Sequence, residues 1–160
     1  MAKEKIPSTP AILALKAAAA TYTLHTYAYE EKGGTRVSSQ KLDIDEHCVI
    51  KTLVMEDENA RPLIILMHGD KEVSTKALAR FLGVKSITPC KPEIAHKHTG
   101  YLVGGTSPFG TKKLLPIYME KTIADLPEIL INAGSRGLLA KMTPAELIRI
   151  LQPREVGVGI

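Results

Sequence analysis

Two apolar segments, residues 47–55 and 62–68, are separated by a short polar stretch that begins at Glu56. Two such runs with a polar break predict the strands of a β-hairpin, joined by a loop too long for a tight primed turn. Side chains alternate along a strand, and both faces of the first segment are mostly apolar. We therefore expect the hairpin to be covered on both sides within a single domain, 1–160, because 160 residues can bury a sizeable core.

The other segments predict helices and strands that do not alternate one for one. Helices are expected at residues 9–20, 38–42, 74–83, 92–97 and 143–151, and three of them have predicted capping residues, Thr9, Ser74 and Thr143. Further strands are expected at residues 23–29, 86–88, 101–103, 114–119, 128–132 and 138–141. Pro116 marks its segment as an edge or irregular strand, and the tail from Pro153 is expected to fray. Strands outnumber helices, which favours an α+β fold with a mixed or largely antiparallel sheet.

Composition excludes several classes of protein. No apolar run reaches the length of about 18 residues that a membrane-spanning helix needs, so we expect no membrane partner. Cys48 and Cys90 can form neither a disulfide framework nor a CxxC metal site, which indicates a reducing compartment and a cytoplasmic protein. An aromatic content of 4% without tryptophan argues against stacking of successive single-stranded bases. The net charge of +4 permits a polyanionic partner without requiring one.

Lys51 lies in the middle of the first apolar segment, on one face with Val49 and Leu53. A lysine in this position must extend to water, pair with an anion or lose its proton. Extension to water at the sheet rim is the commoner case. The functional alternative is contact with an anion or a carbonyl group in a cleft, because apolar walls strengthen the interactions of an ammonium group.

A glycine-rich stretch, residues 104–113, reads Gly-Gly-Thr-Ser-Pro-Phe-Gly-Thr-Lys-Lys. Glycine lets the backbone approach a ligand closely, and consecutive N–H groups can bind an anionic or carbonyl oxygen. The stretch does not fit a phosphate-binding P-loop, because the lysine comes one place late and no Ser or Thr follows it. We therefore expect no nucleotide hydrolysis; a purely structural loop of turn-forming residues is the alternative.

A second loop, residues 132–137, places Arg136 between two glycines, where it could face a phosphate or simply be a solvated turn residue. No pair among the five histidines has the spacing of metal ligands. The five are His25, His47, His68, His96 and His98. Neither a metal nor a cofactor is expected, and no nucleophile motif such as GxSxG occurs. The residues alone predict a small domain with a candidate cleft.

Several short motifs occur in a fixed order along the chain. They are Thr9-Pro10-Ala11, Leu24-His25-Thr26-Tyr27, Val49-Ile50-Lys51-Thr52-Leu53, residues 99–113 and Gly134-Ser135-Arg136-Gly137-Leu138. Together they resemble the YbaK/EbsC family of aminoacyl-tRNA deacylases, which is related to the editing domain of bacterial-type prolyl-tRNA synthetases. The resemblance covers about residues 8–151, which we take as the core of a YbaK-like editing domain.

The resemblance implies a curved, partly barrel-like mixed sheet flanked by helices. It also implies cleavage of a mischarged amino acid, most typically cysteine, from the 3′ end of tRNA(Pro), with no cofactor. An ester carbonyl needs an oxyanion site more than a protein nucleophile when the substrate supplies its own. The cysteine thiol can attack its own carbonyl and release a thiolactone, or a ribose hydroxyl can activate water. Prolyl-tRNA synthetase is a further partner that the resemblance implies.

The resemblance also implies roles for individual residues. Lys51 is expected to anchor the carbonyl or the 3′-terminal phosphate, the N–H groups of Gly104 and Gly105 to form the oxyanion site, and Tyr27 to line the aminoacyl pocket. Further substrate-binding residues are Thr52, Thr106, Ser107, Asn132, Gly134 and Arg136. Contacts to tRNA are expected from Lys112 and Lys113.

The chain departs from the family pattern at three places. Residues 34–39 replace an aromatic-Gly-acidic-acidic-Ala-Ala stretch, Asn132 stands where serine is common, and Leu139 replaces an acidic or small polar residue. These differences leave cysteine, alanine or another small residue open as the substrate. A non-catalytic module that binds tRNA, a synthetase or a small ligand is the alternative function.

Overall fold

The computed structural model describes residues 6–160, which form five α-helices and an eight-stranded sheet. The helices are α1 Pro10–Ala17, α2 Gly34–Leu42, α3 Thr75–Leu82, α4 Pro92–Thr99 and α5 Pro144–Leu151. The strands are β1 Thr23–Thr26, β2 Val49–Asp57, β3 Pro62–His68, β4 Ile87–Pro89, β5 Ile117–Glu120, β6 Ile129–Asn132, β7 Leu138–Met142 and β8 Arg154–Val156.

The strands follow the order β1-β7-β6-β2-β3-β5-β8, and β4 pairs with β2 beside this path. The pairs β1/β7, β6/β7, β2/β3 and β2/β4 are antiparallel, whereas β2/β6, β3/β5 and β5/β8 are parallel. The predicted α+β fold with a mixed sheet is therefore confirmed. Within the described chain the sheet is open, because no pairing joins β1 to β8.

The predicted hairpin of β2 and β3 lies in the middle of the sheet. Its pairing runs from Ile50 opposite His68 to Glu56 opposite Pro62. Asp57 closes the connecting loop, since its carboxylate accepts the N–H groups of Asn59 and Arg61 at 2.8 and 3.0 Å. The loop is longer than a primed turn, as the sequence predicts.

The two faces of the sheet are covered by different elements, because apolar side chains alternate along the central strands. On one face α1, α5 and the loop around Phe109 pack on Ile50, Ile64 and Ile131. On the other face α3 and the C-terminal tail pack on Ile65 and neighbouring residues. A smaller cluster on this second face consists of Val49, Leu130 and Leu139, with Tyr27 and Leu42 packed against it.

Side-chain caps begin three helices as predicted. The hydroxyls of Thr9, Ser74 and Thr143 each accept a backbone N–H three residues further on, at 3.1 to 3.2 Å. These bonds satisfy donors that the first helical turn leaves free. The first helix is shorter than predicted and ends at Ala17, and α2 begins four residues earlier than the predicted 38–42, at Gly34.

Two strand predictions are wrong. Residues 101–103 form no strand. The Tyr101 side chain is buried and its hydroxyl donates to the Phe109 carbonyl, so this segment is held by a side-chain bond and not by pairing with a strand. The segment containing Pro116 is not an edge strand, since β5 begins after it and lies between β3 and β8. Pro116 contributes only its carbonyl, which accepts the Ile64 N–H at 2.9 Å, so its missing donor costs no ladder bond.

The predicted fraying of the tail from Pro153 is also wrong. Arg154–Val156 forms β8 in parallel with β5, and Val156 and Val158 are buried in the core. The Glu120 carboxylate is itself buried and accepts the N–H groups of Val158 and Gly159 at 2.7 and 2.6 Å. These charge-assisted hydrogen bonds fix the tail to the sheet.

Glu120→Gln is expected to lower the free energy of unfolding by about 2 kcal/mol, because the amide turns one acceptor oxygen into a donor facing a backbone N–H. For a chain of this size that corresponds to a fall in Tm of about 4–8 °C. Calorimetry measures the shift in Tm. The matched control is Glu155→Gln, because Glu155 is exposed on the neighbouring strand β8. A Glu120→Gln Tm within 1 °C, about the error of the measurement, of the wild type would contradict the structural role of this carboxylate.

Candidate functional site

Lys51 and Asn132 lie on the same face of neighbouring strands. In the parallel pair β2/β6, Val49 is opposite Leu130 and Ile50 is opposite Ile131. Val49 and Leu130 belong to one buried cluster, and Lys51 and Asn132 each follow two residues later on their strands. Side chains two residues apart share a face, so Lys51 and Asn132 project beside each other beyond this cluster.

The Lys51 ammonium has an anionic partner in the structure. Its Nζ lies 3.5 Å from Glu72 Oε1, and the side chain of Lys51 is 18% exposed whereas that of Glu72 is 83% exposed. The backbone of Glu72 exchanges two hydrogen bonds of 2.9 Å with the backbone of Ile160, and these two bonds hold Glu72 in place. A long contact with an exposed carboxylate is weak, and a substrate oxygen can compete for the ammonium.

Residues 100–113, which we call the first glycine loop, are anchored in the core by their second half. Phe109 is 1% exposed and Ser107 is fully buried. The Phe109 carbonyl accepts from the Tyr101 hydroxyl at 2.6 Å, and its N–H donates to the Ser107 hydroxyl at 3.2 Å. Ser107 therefore shapes the loop from inside, and its predicted contact with substrate stays a prediction that this placement does not favour.

The two predicted oxyanion donors differ in their hydrogen bonding. The Gly105 N–H donates to the Leu102 carbonyl at 2.9 Å, and Gly105 is buried. Gly104 is exposed and has a φ of 86°, a conformation that glycine adopts readily. Its N–H has no acceptor among residues 6–160. Of the pair, Gly104 is the donor that a ligand can reach.

Residues 132–137, which we call the second glycine loop, support the first. Asn132 Nδ2 donates to the carbonyl of Gly104 at 3.1 Å and to that of Ser135 at 3.2 Å. Its Oδ1 accepts the Gly134 N–H at 2.7 Å. A Cβ on Gly105 would lie 3.1 Å from the Arg136 nitrogen, so the two loops pack backbone against backbone. Asn132 and Gly134 thus hold the site together in the structure.

Tyr29 is a site residue that the sequence interpretation missed. A Cβ added to Gly104 would lie only 2.5 Å from the Tyr29 hydroxyl, so the ring lies directly against Gly104. The Arg136 guanidinium carbon lies 5.2 Å from the centre of the same ring. Tyr29 comes two residues after Tyr27, and in extended chain this spacing puts both rings on one side, which is the signal that could have found it.

Tyr27 packs against the buried cluster beside Asn132. Burial and the neighbouring Tyr29 raise the pKa of its hydroxyl, and a hydrogen bond with Ser38 opposes the shift. The hydroxyl therefore keeps its proton at neutral pH, which suits a pocket wall that can donate a hydrogen bond.

The remaining predicted residues are spread over the surroundings. Thr52 projects from β2 on the face opposite Lys51, and its buried hydroxyl has no partner among the described residues. Thr106 Oγ1 lies 3.4 Å from the Leu102 carbonyl, within the first glycine loop. Lys112 and Lys113 are exposed, and their backbone N–H groups bond to the end of α4. The structure does not bring Thr52 to Lys51.

A cavity of about 400 Å³ opens between the start of α1 and the two glycine loops, and its lining includes Gly105, Gly134 and Arg136. This volume is in the range of small-molecule sites. Lys51, Tyr27 and Asn132 lie outside this lining. A larger cavity of about 530 Å³ near α5 is lined by charges that already pair with each other, such as Glu146 with Arg149 at 2.7 Å. Of these two cavities among the described residues, the smaller one adjoins the glycine loops.

His47, His68 and Asp70 come together although their sequence positions suggest no ligand spacing. The two rings stack with centroids 3.7 Å apart and planes 4° apart, and His47 Nδ1 lies 2.8 Å from Asp70 Oδ1. His68 Nδ1 donates to the His47 carbonyl at 2.8 Å, and Thr122 donates to its Nε2 at 2.7 Å. One possible ligand atom from each of the three residues lies within 4.8 Å of the others. Both ring nitrogens of His68 are engaged in hydrogen bonds, so the structure shows the cluster as a hydrogen-bonded network.

This network predicts a loss of stability in acid. Burial lowers the pKa of His68, so the folded protein holds the ring neutral while the unfolded chain protonates it below its ordinary pKa. The free energy of unfolding should therefore fall as the pH drops below about 6.5, by at most about 1.4 kcal/mol per pH unit for this one proton. Urea titrations between pH 7.5 and 5 measure the slope.

His68→Gln should reduce that slope, because it removes the buried imidazole. Part of the slope should remain in His68→Gln, because burial and two nearby lysines also lower the pKa of His98. An unchanged slope in His68→Gln would show that the buried ring does not couple folding to protons.

The fold and the site define a domain with an open mixed sheet, a partly buried lysine and a backbone N–H that has no acceptor among residues 6–160. Residues 32–150 match the family described as "Aminoacyl-tRNA editing domain". The chain belongs to this family.

Two similar proteins illustrate the relationship. The "Putative Cys-tRNA(Pro)/Cys-tRNA(Cys) deacylase EbsC" of Enterococcus faecalis is 28% identical over 152 residues, which cover 94% of this chain and 93% of that protein. A proline–tRNA ligase of Streptococcus equi subsp. zooepidemicus is 30% identical over 96 residues, which cover 60% of this chain but 15% of the ligase. The predicted family resemblance is thereby confirmed.

Solved structures show the same fold. The crystal structure described as "a putative trans-editing enzyme for prolyl tRNA synthetase" superposes with a TM-score of 0.83 and 20% identity, covering 97% of this chain and 99% of that one. The crystal structure of "hypothetical protein APE2540" gives a TM-score of 0.86 at 18% identity, over 94% and 99% of the two chains. Among the described residues, no helix combines the length and hydropathy needed to cross a membrane.

Proposed function

We propose that this protein is a trans-editing deacylase that cleaves the ester between a misattached small amino acid, cysteine above all, and the 3′ end of tRNA(Pro). The observation that carries the proposal is the Gly104 N–H, which has no acceptor among residues 6–160 and lies in a loop that Asn132, the sheet neighbour of Lys51, supports. An ammonium group, together with an unpaired N–H in a loop that is hydrogen-bonded to the neighbouring Asn132, suits a carbonyl oxygen that becomes negative.

The chain offers stabilisation of charge, and the substrate supplies the nucleophile. In the first route the cysteine sulfur bonds to its own carbonyl carbon, the ester C–O bond breaks, and the thiol proton passes to the ribose oxygen. The products are a cyclic thiolactone and tRNA with a free 3′ hydroxyl. In the second route water attacks the carbonyl carbon, the ester C–O bond breaks, a proton from the water passes to the ribose oxygen, and free cysteine and uncharged tRNA are released. In both routes Lys51 and the Gly104 N–H stabilise the oxyanion.

The substrate class is supported by charge and by relatives. Lys112 and Lys113 are exposed beside the end of α4 and are proposed to contact tRNA phosphates. The relative EbsC is named for Cys-tRNA(Pro) and Cys-tRNA(Cys), and segments of proline–tRNA ligases are similar to this chain. The segments of proline–tRNA ligases that resemble this chain also support a link to that enzyme, so we propose that prolyl-tRNA synthetase presents the substrate in the cytoplasm.

The test is deacylation of purified Cys-tRNA(Pro), Ala-tRNA(Pro) and Cys-tRNA(Cys). The reaction is measured as the loss of labelled amino acid from the tRNA. Release of cysteine but not alanine, with thiolactone found by mass spectrometry, is expected for attack by the thiol. Release of both amino acids as free acids indicates the route through water. If all three substrates stay charged, the proposal is wrong, and retention of charged tRNA in a binding assay would favour the non-catalytic module instead.

A further inference from the structure

The Arg136 guanidinium is bonded to the peptide unit that carries the Gly104 N–H. Arg136 Nε donates to the Val103 carbonyl at 2.8 Å. In a trans peptide the C=O and the N–H of the same unit point in opposite directions. The bond to Val103 therefore directs the Gly104 N–H away from Arg136, on the side where it has no acceptor among the described residues.

The Tyr29 ring packs against the Arg136 guanidinium and supports this hydrogen bond. Its ring lies 5.2 Å from the Arg136 guanidinium carbon, a distance at which a cation attracts the face of an aromatic ring. The same ring fills the space that a Cβ on Gly104 would need. The Tyr29 ring thus contacts both the Arg136 guanidinium and the Gly104 backbone and limits where each can lie.

The next peptide unit is also held at both ends. The Gly104 carbonyl accepts from Asn132 Nδ2 at 3.1 Å, and the Gly105 N–H donates to Leu102 at 2.9 Å. Side chains or turn bonds therefore use every hydrogen-bonding group of the two peptide units around Gly104 except one. That remaining group is the Gly104 N–H, which an oxyanion requires.

We propose that Arg136 is a positioning residue for the Gly104 N–H and not a ligand of tRNA phosphate. Its charge-assisted hydrogen bond fixes the orientation of the peptide unit and polarises it, which makes the N–H a stronger donor. This role rests on the proposed function, in which that N–H meets the ester oxygen as negative charge develops. A correctly aimed donor lowers the barrier without tightening substrate binding.

The first test does not depend on activity. In protein labelled with ¹⁵N-glycine, Arg136→Ala is expected to shift the Gly104 amide resonance and to speed its hydrogen exchange. The matched control is Arg154→Ala, which removes the other arginine that lies over an aromatic ring, 4.8 Å from the centre of Phe81. A Gly104 resonance that Arg136→Ala leaves unmoved overturns the positioning role, whatever the activity of the protein.

The second test separates positioning from binding. Arg136→Ala is expected to lower kcat for Cys-tRNA(Pro) about tenfold, less than the about 10²-fold for loss of a whole oxyanion donor, with KM changed less than about twofold. Arg136→Lys keeps the charge but not the planar fork and should stay impaired. A raised KM with unchanged kcat, restored by lysine, overturns the proposal in favour of a phosphate contact. Inactivity of the wild type would count against the proposed function, while the Gly104 resonance still decides the positioning role.

Discussion

Lys51→Ala is expected to lower kcat/KM for Cys-tRNA(Pro) by about 10²–10³-fold, the range seen when one oxyanion-stabilising group is removed. The Lys51 side chain is 18% exposed, so the attraction of its ammonium group to a developing negative charge is less screened than at an open surface. Its contact with exposed Glu72 is long and contributes little to stability, which leaves the charge available to the substrate. Single-turnover deacylation measures the loss directly.

Two further lysine variants make this prediction specific. Lys51→Arg keeps the charge on a larger, planar group and should recover part of the lost rate. Lys85→Ala removes an exposed lysine outside the site and should match the wild type. Thermal unfolding of all three variants checks that they are folded. If folded Lys51→Ala keeps more than about a third of the wild-type rate, Lys51 does not stabilise the transition state.

The helix starts and the central hairpin could be predicted because their signals are local. A capping hydroxyl three residues before its N–H, or a polar break between two apolar runs, can be read within a short window of sequence. Thr9, Ser74 and Thr143 all cap helices as expected. The position of Pro116 in the sheet could not be predicted, because a missing N–H donor matters only where a neighbouring strand needs it, and that neighbour is distant in sequence.

The C-terminal strand could not be predicted for the same reason. Its polar residues and glycines resemble a loose end, and they become ordered through Glu120 and β5, which lie more than thirty residues away. A carboxylate that binds two backbone N–H groups leaves no local pattern. Long-range pairing overrides local propensity here.

At the site, residue types could be predicted but their partners could not. Lys51 and Gly104 stand out because a lysine in an apolar strand and a pair of glycines are locally unusual. Arg136 also stands out, yet the structure shows its guanidinium on Val103 and Tyr29 instead of free in solution. Which of two adjacent glycines keeps its N–H free depends on a turn to Leu102 that the sequence does not specify.

Phe109→Ala is expected to have the largest effect on stability, a loss of about 3–5 kcal/mol in the free energy of unfolding. Phe109 is 1% exposed and belongs to the core between α1, α5 and the sheet. Its backbone also holds the first glycine loop through Tyr101 and Ser107. The variant should therefore unfold about 6–20 °C lower than the wild type by calorimetry, and kcat should fall as Gly104 loses its fixed position.

The chain has only two phenylalanines, which provides a matched control. Phe81 is 44% exposed on α3 under Arg154, so Phe81→Ala removes the same atoms without opening a buried cavity and should cost about 1 kcal/mol or less. Phe109→Leu refills most of the space and should recover much of the stability. Equal losses in Phe109→Ala and Phe81→Ala would mean that the loop is not anchored through this ring. If Phe109→Ala is destabilised but keeps the wild-type kcat, the Phe109 ring anchors the loop without determining the orientation of the Gly104 N–H.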